Sequence, residues 1–127
     1  MTENIFLTHD NIISFRLIED GVAQSLSAVT KITATFGAIT VTSNNHENGV
    51  IKWNNTGYSI GEVRMDLGGE NIPAGLYHVP IVIYDADNSN GLVWGYIAIK
   101  VINNVESYPN DLNVVVYDDA NTEDLNI

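Results

Sequence analysis

Three stretches of this chain alternate apolar and polar residues at strict period 2. Ile13, Phe15 and Leu17 fall on one face of the first stretch. In the second, Ile32, Ala34 and Phe36 oppose Lys31, Thr33 and Thr35. In the third, Val63, Met65 and Leu67 alternate with Glu62, Arg64 and Asp66. Successive side chains of an extended chain point to opposite sides, so this pattern is a strand with one buried face. Further β-prone runs cover 38–42, 50–53, 76–84, 92–102 and 112–117. Asn44-Asn45, Asn54-Asn55, Gly68-Gly69 and residues 88–91 punctuate them as turns. No window holds an apolar helical stripe longer than two turns. The one helical candidate, 22–26 after Asp20-Gly21, reads equally well as a loop or a hairpin. Short strands with turn residues between them give an all-β chain, an antiparallel sandwich or barrel.

Two details refine the strands. Pro80 offers no N–H to a ladder, so the 76–84 run is expected at an edge or bulged there. Trp94 and Tyr96 alternate in phase with Leu92 and Ala98, so they share a face, either core or an exposed aromatic stripe, with core favoured.

The 127 residues fit one domain, and 45% apolar composition is enough for a core. Absence of cysteine excludes disulfides, thiol catalysis and thiolate metal sites. Five basic against 16 acidic residues give a net charge of −11. Such a surface repels phosphate backbones and anionic lipid, so neither nucleic acid nor membrane is expected as a partner. No apolar run approaches the roughly 20 residues that span a bilayer. Met1-Thr2-Glu3-Asn4 lacks the basic start of a signal peptide, so cytoplasmic synthesis is expected. The charge is uneven. Residues 1–103 hold all five bases and ten acids, whereas 104–127 hold six acids and no base. That break divides the chain into a compact domain, 1–103, and an acidic C-terminal arm, 104–127. Within the arm, Val114, Val115, Val116 and Tyr117 are β-prone and flanked by acids. They either complete their own sheet or add to a neighbour's sheet edge, and they are the expected interface residues.

Motifs that resemble active sites have simpler explanations. Residues 57–61, Gly-Tyr-Ser-Ile-Gly, match the nucleophile-elbow pattern around Ser59, which requires a strand before and a helix after. An alternating strand pattern follows instead, so a loop between strands is expected. Asp85 and Asp87 open a run that begins like a calcium loop. Asn90 stands where an EF-hand needs glycine and Tyr96 where it needs glutamate. A hairpin loop capped by Asx side chains is the first reading, with calcium at Asp85 and Asp87 a weak alternative. His9, His46 and His78 show no metal-ligand spacing. Asn54-Asn55-Thr56 is a chance glycosylation sequon. No glycine-rich loop precedes a helix, so no phosphate cradle is expected. No enzyme activity and no cofactor are expected.

Gly75-Leu76-Tyr77-His78-Val79, followed by 81–85, resembles the turn-and-strand of immunoglobulin-like sandwiches. The resemblance makes Tyr77 the corner tyrosine that bonds back to the preceding loop. A longer order is similar to the N-terminal domain of phage baseplate upper proteins and related tailed-phage virion modules. It comprises 15–22, Leu26-Ser27 leading into 29–36, 49–53, Ile72-Pro73-Ala74-Gly75-Leu76-Tyr77, and a last strand ending Ile99-Lys100-Val101. The resemblance covers residues 11–103. It implies an immunoglobulin-like antiparallel sandwich and a non-enzymatic virion component. A capsid decoration protein or a tail, neck or baseplate adaptor fits the length. Its implied partners are other virion proteins, by self-association or docking on a capsid or tail protein. Its implied location is the virion, after synthesis in the host cytoplasm. The competing reading is a carbohydrate- or ligand-binding sandwich using loop aromatics such as Tyr58, with calcium at Asp85 and Asp87.

Overall fold

A computed structural model of the protein describes residues 2–6, 12–102 and 122–126. These form ten strands and no helix among the described residues: β1 (Thr2–Phe6), β2 (Ile12–Glu19), β3 (Val22–Ala23), β4 (Lys31–Phe36), β5 (Ile39–Ser43), β6 (Ile51–Trp53), β7 (Glu62–Asp66), β8 (Gly75–Tyr84), β9 (Leu92–Ile102) and β10 (Thr122–Asn126). They build a two-sheet sandwich. Sheet A has the order β1-β9-β8-β4-β5, and sheet B the order β10-β2-β7-β6, with β3 paired to β2.

The alternating stretches supply the inner faces. Ile13, Phe15 and Leu17 of β2, Ile32, Ala34 and Phe36 of β4, and Val63 and Met65 of β7 are buried. Trp53, Ile51, Val79, Ile81, Ile97 and Ile99 join them in one core between the sheets. A buried aliphatic or aromatic side chain contributes about 1.5–3 kcal/mol, so this alternation is the main reason the chain folds.

Asp20 and Gly21 both take positive φ, 53° and 77°, between the register partners Glu19 and Val22. That is the primed two-residue turn that matches strand twist, so the 22–26 segment starts as a hairpin and not as a helix.

The other departures from the sequence pattern have physical causes. Pro80 does not mark an edge strand, because β8 lies between β9 and β4. The ladder to β4 ends at Ala34↔Ile81, one residue from Pro80, and a register shift follows at once between Ile81 and Val82. Opposite that shift, Gly95 pairs with Ile81 and Val93 with Val82, so Trp94 is an extra residue in β9. A bulge of one residue reverses the alternation. Trp94 is therefore buried and Tyr96 is 63% exposed. Their shared face in the sequence pattern does not exist.

Two pairings are parallel, unlike the fully antiparallel expectation, and both involve chain ends. β1 runs alongside β9, Thr2↔Ala98 to Phe6↔Ile102. β10 runs alongside β2, Thr122↔Ser14 to Asn126↔Ile18. The last residues of the acidic segment thus return to sheet B, and Leu125 is buried in the core. Val114, Val115, Val116 and Tyr117 lie outside the described residues.

Candidate functional site

The Ser59 loop joins β6 to β7. Ser59 is exposed, and its backbone N–H donates to Glu62 Oε1 at 2.9 Å. Gly61 has φ +78°, and a Cβ there would approach the Leu17 carbonyl oxygen to 2.9 Å. Its own carbonyl accepts from Leu17 N–H at 2.8 Å. The second glycine of the motif is thus required by backbone packing on β2. A shallow cleft beside Ser59 is lined by Ser25, Leu26, Asn54, Tyr58 and residues 59–61, with no histidine among them. No helix follows the serine; β7 does.

Glu62 anchors this loop from the solvent side of sheet B. Its other carboxylate oxygen accepts from Arg64 Nε, and the Arg64 guanidinium lies 4.2 Å from the centre of the Tyr58 ring. Burial alone would raise the Glu62 carboxyl. The Arg64 hydrogen bond, the Ser59 amide and the charges of Arg64 and Arg16 outweigh it and hold the group below its usual range. One face of the Tyr58 ring is therefore covered by a cation.

The Asp85 loop joins β8 to β9. Asp85 Oδ1 accepts from Asp87 N at 3.0 Å, Asn88 N at 2.8 Å and Asn88 Nδ2 at 3.0 Å. That oxygen organises the turn. Asp87 is exposed. Among the described residues no three His, Asp or Glu side chains gather at metal-binding distance. His46 sits in the loop between β5 and β6. Its Nδ1 is 3.1 Å from both Trp53 O and Asn55 Oδ1, and Asn55 Nδ2 donates to His46 O at 2.9 Å. His78 is exposed on β8.

Tyr77 stands near the start of β8. Its hydroxyl donates to Pro73 O at 2.6 Å, and its ring meets Phe36 edge-on at 5.6 Å. The bond fixes the corner that leads into β8, a structural function.

The surface with the most distinctive composition is the outer face of sheet A. Four of its strands, β4, β5, β8 and β9, contain no Asp or Glu. The acid in β1, Glu3, is buried and pairs in register with buried Ile99. Among the described residues, the strands of sheet A therefore place no carboxylate on its outer face, in a chain that carries 16. The central rows of this face carry no Lys, Arg, Asp or Glu. Tyr96 opposes Pro80, Val93 opposes Val82, and Ala98 opposes His78. Thr33 and Thr42 continue the Val82 row across β4 and β5. Leu76 is 63% and Val93 47% exposed. The two lysines stand in the end rows. Lys100 opposes Leu76, and Lys31 opposes Tyr84 with its ammonium 4.0 Å from the ring centre. An apolar centre depleted of charge, with charge at the margin, is the composition of a protein interface.

The sequence pattern concealed this surface because the bulge that exposes Tyr96 has no signal in period 2. The absence of acids from four strands was readable in the sequence, once their common sheet is known. Searches against known proteins found no matching family and no matching curated protein.

Proposed function

We propose that the chain is a non-enzymatic structural protein that works through protein–protein contacts, as a tailed-phage capsid decoration protein or a tail, neck or baseplate adaptor. The observation that carries the contact role is the outer face of sheet A, where the described strands place no carboxylate and leave Leu76, Val93 and Tyr96 exposed. Scattered exposed apolar residues are ordinary, but Tyr96 and Val93, exposed in adjacent rows of one face, favour a recognition surface. The loop motifs favour the same reading. The Ser59 amide, Gly61 and the Asp85 carboxylate are all engaged in holding turns.

The virion assignment rests on the resemblance of residues 11–103 to baseplate upper proteins. An immunoglobulin-like topology is supported by the order β9-β8-β4-β5 facing β2-β7-β6, by β1 running parallel to β9, and by the Tyr77–Pro73 corner.

The test is immunogold labelling of intact particles from the source culture with antibody to the recombinant chain. Gold over heads assigns a decoration protein, and gold at tails or necks an adaptor. Particles that stay unlabelled both intact and after mild disruption, which uncovers buried epitopes, overturn the virion role.

A further inference from the structure

Building on the proposed contact role, we infer that the outer face of sheet A receives the acidic segment 111–119 of a second copy of this chain. The surface and the segment match in chemistry. The surface exposes Tyr96 and Val93 in its central rows, with Lys31 in one end row and Lys100, beside exposed Leu76, in the other. The segment has an apolar centre, Val114 to Val116 and Tyr117, with Asp111 before it and Asp118 and Asp119 after it. Two such surfaces facing each other would oppose lysines with no carboxylate between them. The segment supplies the missing charges at the margins, where charge sets orientation.

The chain supplies its own ruler for the segment's reach. Phe6 of β1 lies beside Ile102, and residues 7–11 carry the chain from there to Ile12 of sheet B. The C-terminal part makes a similar crossing, from Ile102 to Thr122 beside Ser14. It uses residues 103–121, 19 in place of five. Connections this long between strands of a compact domain usually carry function.

The return tether excludes the protein's own surface for the end of the run. β10 lies under β9, and Trp94 Nε1 of β9 donates to Leu125 O at 3.1 Å. From Tyr117 to Thr122 an extended chain spans at most about 17 Å. Crossing from sheet B to a position packed on the far side of sheet A takes two layer spacings, about 20 Å, before any detour round β1. Tyr117 thus falls short of its own copy's Tyr96–Pro80 row.

Because the chain has no cysteine, disulfide trapping on the full-length protein is clean. Tyr96→Cys is mixed with Val115→Cys or, separately, Val116→Cys, and oxidised with glutathione. Both are used because neighbouring positions of an extended segment face opposite ways. Lys52→Cys, exposed on β6 of sheet B, replaces Tyr96→Cys as the control. Thermal melts of each variant verify folding. The mixed disulfide is expected to form about tenfold faster with Tyr96→Cys than with Lys52→Cys for one of the two segment variants. Adding Lys31→Glu and Lys100→Glu to the Tyr96→Cys chain is expected to slow it severalfold. Equal rates with the control overturn the proposal. So does a doubly substituted Tyr96→Cys, Val116→Cys chain that closes only on itself. Neither result bears on particle labelling, so this inference and the virion role fail separately.

Discussion

Trp94 is where the two sheets and the last strand meet. Its indole N–H lies 3.1 Å from Ile18 O of β2 and 3.1 Å from Leu125 O of β10. The extra residue in β9 turns it inward, so one donor serves two neighbouring strands of the opposite sheet. Trp94→Phe keeps most of the apolar volume and removes that donor. The expected loss is about 1–3 kcal/mol in urea unfolding. Faster hydrogen exchange in β10 than in β7 should accompany it, since β10 is tied by the lost bond. Glu62 gives a second expectation at this scale. Its carboxyl is held below the usual value, so it stabilises the fold above the unfolded pKa of about 4.3 and loses that effect as pH falls through the folded value. Glu62→Gln keeps an acceptor for the Ser59 amide and removes the titration. Wild type should exceed Glu62→Gln in stability at pH 7, and the urea midpoints should draw together as pH falls through the folded pKa. A constant difference across that range would show that the carboxylate's charge contributes nothing. Gly61→Ala must move the Leu17 carbonyl and hold a positive φ, and about 2 kcal/mol of destabilisation is expected. Ser59→Ala, at an exposed side chain, should leave the urea midpoint unchanged.

The strands were the most legible elements. Ile13, Phe15 and Leu17, with the matching sets of β4 and β7, announced both their conformation and their buried face. The 22–26 segment was ambiguous because two residues of strand carry no period, whereas Asp20-Gly21 already encoded the turn. The bulge at Trp94 was illegible. It depends on how β8 and β9 register against each other, and Gly95 alone does not specify that. β10 was illegible for a different reason. In residues 122–126, Leu125 is the single apolar side chain, so charge and composition placed the whole stretch in the acidic arm, 104–127. Its pairing with β2 was available because β2 would otherwise be an open sheet edge. This separates the two parts of the arm experimentally. Ending the chain after Asn121 removes β10, exposes the β2 edge and gives up the burial of Leu125, about 1.5–3 kcal/mol. Replacing 103–121 by five Gly and Ser residues keeps β10 at a length the chain itself uses between Phe6 and Ile12. Its melting temperature should stay within a few degrees of wild type, while trapping at Tyr96→Cys is lost along with the segment. Unfolding of that variant would instead make 103–121 part of the core.

At the scale of the molecule, the decisive property is that the described strands of sheet A place lysines but no carboxylate on its outer face. A net charge of −11 makes two copies repel, and the repulsion acts over the Debye length, about 30 Å at 0.01 M salt. The contact proposed for sheet A acts at closer range. It combines apolar burial at Tyr96, Val93 and Leu76, which salt does not weaken, with pairing of Asp111, Asp118 and Asp119 to Lys31 and Lys100, which salt does. These terms have different ranges, so association should not vary in one direction with salt. At 0.01 M the whole-molecule repulsion dominates and association is weak. At about 0.15 M the Debye length is near 8 Å, which screens the distant carboxylates and spares the pairs in contact. At 1 M it is near 3 Å and the marginal pairs fade, leaving apolar burial alone. Sedimentation velocity across this series should give a maximum near 0.15 M. Tyr96→Glu places a carboxylate in the centre of the face and should abolish association at every salt concentration, with the melting temperature unchanged because the side chain is exposed. A steady rise with salt would mean that only the apolar centre contributes. A steady fall would mean that the lysine–aspartate pairs outweigh the monopole even at long range, a balance that two side chains on so acidic a molecule are not expected to reach.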